Sequence, residues 1–257
     1  MKKPQRPLPW LQPHEPFPSA SKAWGLGDPA PGLLAAGKTL DAKTLIDAYS
    51  RGIFPWFSDG QPVLWWSPDP RMVLQTANFT LHRSLRKTLQ KFVGDARCSV
   101  RFDSAFSQVI GQCASKPRDG QPGTWIVPSM VAAYTQLHAA GAAHSVETWI
   151  DGELAGGLYC VNIGGMVFGE SMFANQTDAS KIALCALVAF CRVHGVKMID
   201  CQQNTAHLAS FGAAEISRNQ FAAHVSGSIA HTAPAWQFKS LYWQQLLPAP
   251  ADKSGPN

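Results

Sequence analysis

Asp200-Cys201-Gln202 ends a short apolar run, Val196-Lys197-Met198-Ile199, that reads as a buried strand. Alternate side chains of a strand share a face, so this spacing directs Asp200 and Gln202 the same way and Cys201 the other. A carboxylate beside an amide at a strand end can orient an amine nucleophile or hold a cation. A polar strand end meeting water has the same composition, so these three residues decide nothing alone. What they do depends on the elements that must hold them.

The 257 residues are 46% hydrophobic and 15% charged, enough for one large core or two domains. No apolar run reaches the roughly 18 residues of a membrane span. Six prolines between residues 4 and 18 break up the start of the chain, which is unlike a secretory leader, so a cytoplasmic protein is expected. Cys98, Cys113, Cys160, Cys185, Cys191 and Cys201 form no Cys-x-x-Cys pair and read as buried thiols rather than disulfides or zinc ligands. The net charge of +5 is unevenly spread. Eight Lys/Arg fall between His82 and Arg118, a basic segment suited to a polyanion such as nucleic acid or, equally, an ordinary solvated face. Residues 119–180 hold six acids and no Lys or Arg, which raises the possibility of a cationic ligand.

Residues 1–20 are Pro-rich and are expected to be poorly ordered. Asp41 to Ser50 reads as a helix stopped by Gly52. Ile53–Phe57 and Val63–Pro70 crowd aromatics between prolines, either to pack a small domain or to stack a base. Pro68-Asp69-Pro70 is the natural boundary, which divides the chain into a small N-terminal domain (1–70), a larger domain (71–245) and a flexible tail (246–257). In the second part, Ser129 is expected to cap a helix that Gly141 ends. Asp151-Gly152 joins two strands, Ser145–Ile150 and Glu153–Cys160, in a hairpin. A turn at Asn162–Gly165 leads into Met166–Glu170, then a helix over Ala179–Val193, the strand Val196–Gln202, and short helices near Ala206–Phe211 and Ser217–Val225. Three antiparallel strands, a helix and a further strand make an α+β fold with a mostly antiparallel sheet and flanking helices, the layout of acetyltransferase-like (GNAT-like) domains.

Several separated blocks belong together: Arg51–Phe57 with Trp65–Arg71, Gly123-Thr124-Trp125-Ile126, Gly169-Glu170-Ser171-Met172-Phe173, Ala179-Ser180-Lys181, Ile199–Gln202 and His207–Ala213. In this order, and with Gly32-Leu33-Leu34, they resemble the leucyl/phenylalanyl-tRNA–protein transferases over roughly residues 30–225. The resemblance implies an enzyme that moves leucine or phenylalanine, less readily methionine, from charged tRNA to the α-amino group of proteins beginning with Arg or Lys. The product is a bacterial N-end-rule degradation signal. It also implies a monomer with no cofactor and no metal.

The same resemblance assigns the acceptor side to Asp200 and Gln202 as catalytic residues, with Glu170 beside them. Asp200 either polarises Gln202 to help deprotonate the amine, or both residues orient the acceptor while the tRNA ribose hydroxyl carries the proton. Orientation is favoured, because an amide is a very weak base and a cationic acceptor suits Asp200. The donor side chain and terminal adenosine fall to Tyr49, Trp56, Trp125, Tyr134, Leu158, Met172, Leu184 and Leu187. Arg83, Arg86, Lys87 and Lys91 are candidates for the tRNA backbone. Three positions depart from the family pattern: Thr205 replaces an Asn, Cys191 a Phe, and Leu187 an aromatic of some relatives. A roomier pocket is expected. An acetyl-CoA-dependent acetyltransferase would need an Arg/Gln-x-x-Gly-x-Gly/Ala loop, which Gln108–Cys113 and Arg192–Lys197 both miss in their last residue. A non-catalytic tRNA- or N-degron-binding module would keep the charge pattern without needing the paired Asp-Cys-Gln and Gly-Glu-Ser-Met-Phe blocks.

Overall fold

The computed structural model describes residues 7–13, 15–116 and 126–247. The first part builds a small sheet from β1 (Trp10–Leu11), β2 (Leu33–Gly37), β3 (Phe54–Pro55) and β4 (Leu64–Trp66), in the order β1-β2-β4-β3. Helix α1 (Ala42–Ser50) lies between β2 and β3 and is capped by Asp41, whose side chain accepts from Thr44 N–H. The Pro-rich start is better packed than its composition suggests. Leu11 pairs in parallel with β2 and is buried, and Phe17 stands edge-on to the fully buried Trp65. Pairing to a strand edge and one large aromatic contact hold a segment that has no helical or strand periodicity of its own.

The chain then enters a seven-stranded sheet in the order β11-β5-β10-β9-β8-β7-β6. Its strands are β5 (Arg71–Gln75), β6 (Cys98–Phe102), β7 (Ala143–Ile150), β8 (Glu153–Ile163), β9 (Met166–Ala174), β10 (Met198–Gln202) and β11 (Ala214–Ile216). All neighbours are antiparallel except β9 and β10. Asp151 and Gly152 adopt the left-handed backbone that a two-residue hairpin turn requires, with φ of 53° and 80°. The helices are α2 (Arg83–Gly94), α3 (Phe106–Ser115), α4 (Pro128–Ala139), α5 (Ala179–Val193), α6 (Ala206–Ser210) and α7 (Arg218–Ser228). Helix α4 starts with Pro128 at its first turn, and no side chain caps it, so Ser129 is not its cap. Ser217 does cap α7, in a reciprocal pair with Gln220.

Two apolar clusters cover the two faces of the large sheet. One joins α1, α3, α4 and the small sheet, so the N-terminal part shares a core with β8 and β9 through contacts such as Tyr49 on Phe168. The other holds α5, α2 and the chain's last described turn, Ser240–Gln245. The chain is still packed where a flexible tail was expected to begin: Leu246 is buried and its carbonyl accepts from Arg86. Residues 248–257 lie outside the described part.

Helix α5 sits close against β8 because Gly156 has no side chain. A Cβ there would stand 2.6 Å from Ala179 Cβ and 3.0 Å from both the Ala179 carbonyl carbon and the Phe173 oxygen. Gly156→Ala should therefore push the start of α5 off the sheet and destabilise the fold by about 1–3 kcal/mol, as overpacking does. Urea unfolding is expected to show a lower midpoint with an unchanged slope; an unchanged midpoint would contradict this account.

Candidate active site

Strands β9 and β10 pair at only two positions, Ile199 with Val167 and Asp200 with Phe168. Each then carries one extra residue relative to its antiparallel neighbour. On β9, Gly169 pairs with Cys160 and Ser171 with Tyr159, leaving Glu170 as the inserted residue. On β10, Asp200 pairs with Val73 and Gln202 with Met72, leaving Cys201 inserted. Bulges bend and twist a strand away from its pairing. Here the parallel strands part at the level of both bulges, and a cavity of about 600 Å³ opens between them. Its apolar wall includes Leu74, Leu158, Met172, Leu184, Leu187 and Ile199. Trp56 and Phe54 reach it from the small sheet, and Thr205, His207 and Leu208 border it from α6.

The β10 bulge changes the expected geometry of Asp200 and Gln202. Asp200 is wholly buried and receives both arms of Arg71, Nε to Oδ1 at 2.7 Å and Nη2 to Oδ2 at 2.6 Å. The guanidinium lies between the rings of Phe54 and Phe221, 4.7 and 4.5 Å from their centroids, and Nη1 donates to Gly52 O at 3.3 Å. Gly52 is left-handed (φ 70°), and a Cβ on it would meet Phe221 at 2.9 Å. The cation that suits Asp200 is thus the protein's own, and the two residues share no polar face toward a ligand. Nor does Asp200 reach the Gln202 amide: Oδ1 accepts the Gln202 backbone N–H at 3.0 Å, bracing a left-handed residue (φ 55°). Gln202 sends its Nε2 to Glu170 Oε1 at 3.3 Å.

Glu170 is the acid on the cavity wall that remains without an ion-pair partner. Tyr49 donates to its Oε1 at 2.7 Å, and Tyr134 to its Oε2 at 3.1 Å. Burial raises its pKa to about 8, and the charge of Asp200 adds to this, while the tyrosine bonds and Arg71 pull the other way. Both tyrosines are fully buried behind Glu170 and do not line the cavity, so they are not donor-pocket contacts as expected from sequence. Trp125 lies outside the described residues. Cys191 is buried in the core cluster under α5, so its small size does not itself enlarge the cavity. Thr205 caps α6 by accepting from Leu208 N–H.

The acids of residues 119–180 do not gather into one cationic-ligand surface. Glu147 is buried and accepts from Ser104, Ala105 N–H, Ser145 and Trp149. Asp178 is paired with Lys181, and Asp151 lies 3.6 Å from Arg97. Asp119 is outside the described residues. On α2, Arg83, Lys87 and Lys91 are exposed, whereas Arg86 is spent on Leu246 O. The start of α2 is tied to α6 by His82 Nε2 and Ser210 O at 2.7 Å, which places this basic helix beside the cavity rim.

Two family models match the chain. Leucyl/phenylalanyl-tRNA protein transferase covers residues 73–226, and the N-terminal domain of the same transferase covers 38–69. A leucyl/phenylalanyl-tRNA–protein transferase of Polaromonas sp. is 68% identical over 95% of this chain and 96% of its own. That of Albidiferax ferrireducens is 63% identical over 94% and 95%. The chain belongs to the leucyl/phenylalanyl-tRNA–protein transferase family. Among solved structures, L-PGS from Bacillus licheniformis aligns with 82% of this chain and 63% of that one at 9% identity, with a TM-score of 0.36.

As a member of this family the protein moves an aminoacyl group from tRNA to protein, and the cavity pairs an apolar chamber with one polar edge. The residue that sequence reasoning left without a role is Arg71. It closes the block Trp65–Arg71, but no local pattern signals that a strand's first residue is a buried guanidinium paired 129 positions away.

Removing one member of a buried ion pair typically costs about 3–5 kcal/mol, because the other charge is left without a partner. Arg71→Met and Asp200→Asn should each destabilise strongly, and the double variant should lose much less than their sum. A double-mutant cycle of urea midpoints measures this; additive losses would contradict the coupling.

Proposed function

We propose that the cavity between β9 and β10 joins the two substrates: an aminoacyl ester of leucine or phenylalanine, less readily methionine, and a protein with N-terminal Arg or Lys. In this reading the donor side chain fills the apolar chamber of Leu158, Met172, Leu184 and Leu187, with Trp56 as a platform for the terminal adenosine. Met and Leu side chains accommodate both branched and aromatic guests. The polar edge receives the acceptor. Glu170 faces the cationic side chain of the acceptor's first residue. Gln202, its Nε2 turned to Glu170, has its carbonyl oxygen to accept from the α-amine.

The ester is already activated, and an α-amine has a pKa of about 7.7–8.0, so a useful fraction is neutral near pH 7. The amine nitrogen attacks the ester carbonyl, the bond to the ribose oxygen breaks, and the proton lost by the amine ends on that oxygen. Positioning supplies most of the rate in such a reaction. Asp200 is a positioning residue on this account. Locked to Arg71, it holds the left-handed Gln202 and does not take a proton. Arg83, Lys87 and Lys91 form the tRNA-backbone contact, beside the rim that α6 shares with α2. The two family models meeting near residue 70 favour a small N-terminal and a larger domain, the latter GNAT-like, with the parting of β9 and β10 as the feature that supports it. The chain would act as a cytoplasmic monomer in the N-end-rule pathway.

The observation that carries the proposal is one carboxylate without an ion-pair partner at the polar edge of an apolar cavity. Transfer of labelled leucine from Leu-tRNA is expected to an Arg-initial peptide and not to an Ala-initial one. Glu170→Gln should raise KM for the Arg peptide by about 30-fold or more, since losing one partner of a buried charge pair costs at least ~2 kcal/mol. Equal use of both peptides would refute the acceptor assignment. For the donor, Leu187→Phe should narrow the chamber and lower phenylalanine transfer relative to leucine when both charged tRNAs compete; an unchanged ratio would remove Leu187 from the pocket.

A further inference from the structure

Three oxygen-to-oxygen contacts close a ring behind the cavity wall. Tyr49 Oη lies 2.5 Å from Tyr134 Oη and 2.7 Å from Glu170 Oε1, and Tyr134 Oη lies 3.1 Å from Glu170 Oε2. Each contact needs a proton between its two oxygens, and the two phenols bring only two. With Glu170 ionised, one edge of the ring is left as lone pair against lone pair in a site of low dielectric. A third proton, on Oε2, repairs this. Glu170 then donates to Tyr134, Tyr134 to Tyr49, and Tyr49 to Glu170 Oε1, where Gln202 Nε2 also donates.

We propose that Glu170 is a neutral carboxylic acid held by this ring with Tyr49 and Tyr134, and that it gives up its proton when the cationic N-terminal residue of an acceptor enters. This rests on the acceptor reading above and adds its proton balance: one proton leaves Oε2 for solvent as one guanidinium or ammonium takes its place. Tyr49 and Tyr134 act through Glu170 and are positioning residues.

The surroundings agree. Tyr49 comes from α1 and Tyr134 from α4, and burial pushes both well above their ordinary range, so they stay protonated donors. On β8, Tyr159 stands edge-on to Tyr134, and Cys160, raised by burial, also feels Glu170. Arg71 on β5 and Asp200 on β10 act on Glu170 with opposite signs, and each is committed to the other. Burial, the largest influence, favours the neutral acid up to about pH 8.

The sign follows. A carboxyl that is neutral alone and ionised in the complex makes binding tighten as pH rises toward about 8, by up to tenfold per pH unit, with no further gain above it. Calorimetric titration of the protein with an Arg-initial peptide at about pH 6.5, in two buffers of different ionisation heat, reads the proton directly. The peptide's α-amine is almost wholly protonated there, and any proton it gives up on binding is released with Glu170→Gln as well. Close to one proton more per peptide is expected for the wild type than for Glu170→Gln. Infrared difference spectra give an independent reading: a carboxylic acid band lost on binding, and missing altogether in Glu170→Gln. Binding with buffer-independent heat and no band loss would overturn the inference and leave the acceptor reading intact. No binding heat would defeat the acceptor reading and the displaced proton with it. The band in the peptide-free protein would still decide whether Glu170 is neutral.

Discussion

The buried pair Arg71–Asp200 is the constraint around which the site is arranged. Neither side chain has any exposure, so both charges have exchanged hydration for protein groups. The replacements are two short bonds between them, the Gly52 carbonyl, the Gln202 N–H and two aromatic faces. Desolvation on this scale is tolerable only with near-complete compensation. The pair and its compensating groups together draw on five elements: the turn after α1, β3, β5, β10 and α7. Moving any one of them would expose a deficit at the centre, so the pair fixes their relative positions more tightly than apolar packing would.

With β10 anchored at Asp200, the chain beyond it is free to leave β9. The two inserted residues, Glu170 and Cys201, occur where the parallel pairing ends. One strand's bulge turns a carboxylate toward the opening, and the other's gives Gln202 the left-handed backbone that lets its amide cross to that carboxylate. The cavity is a controlled failure of strand pairing. Its apolar walls come from α5, β5, β8, β9 and β10, which were apolar for reasons of core packing in any case.

Much of this was legible in the sequence. The Asp151-Gly152 hairpin and the helices α1, α5 and α7 follow from turn chemistry and apolar periodicity, and all are found, whereas the cap expected at Ser129 is not. The blocks around Glu170 and Asp200 do meet at one cavity. What strict alternation could not anticipate is an inserted residue, and the one on β10 separates the Asp200 side chain, buried on Arg71, from the Gln202 amide. Nor does local pattern reveal partners more than 80 positions apart, such as Tyr49 with Tyr134 and with Glu170, so two structural phenols read as pocket aromatics. Strand β6 and helix α3 were missed for a milder reason. β6 is an edge strand whose residues are half-buried or exposed, and α3 begins without a side-chain cap. Each lacks the signal that marks its type.

Helix α1 belongs to the small sheet's half of the chain, yet Tyr49 reaches through the shared core to the carboxylate of the other half. The buried acid of the cavity wall is thus held jointly by two segments that the chain writes separately. A recombinant that joined a foreign first seventy residues to this sheet would depend on them for the Tyr49 bond and for the Phe54 and Trp56 that border the cavity. The place near Pro70 where the two family models meet thus runs across a shared core.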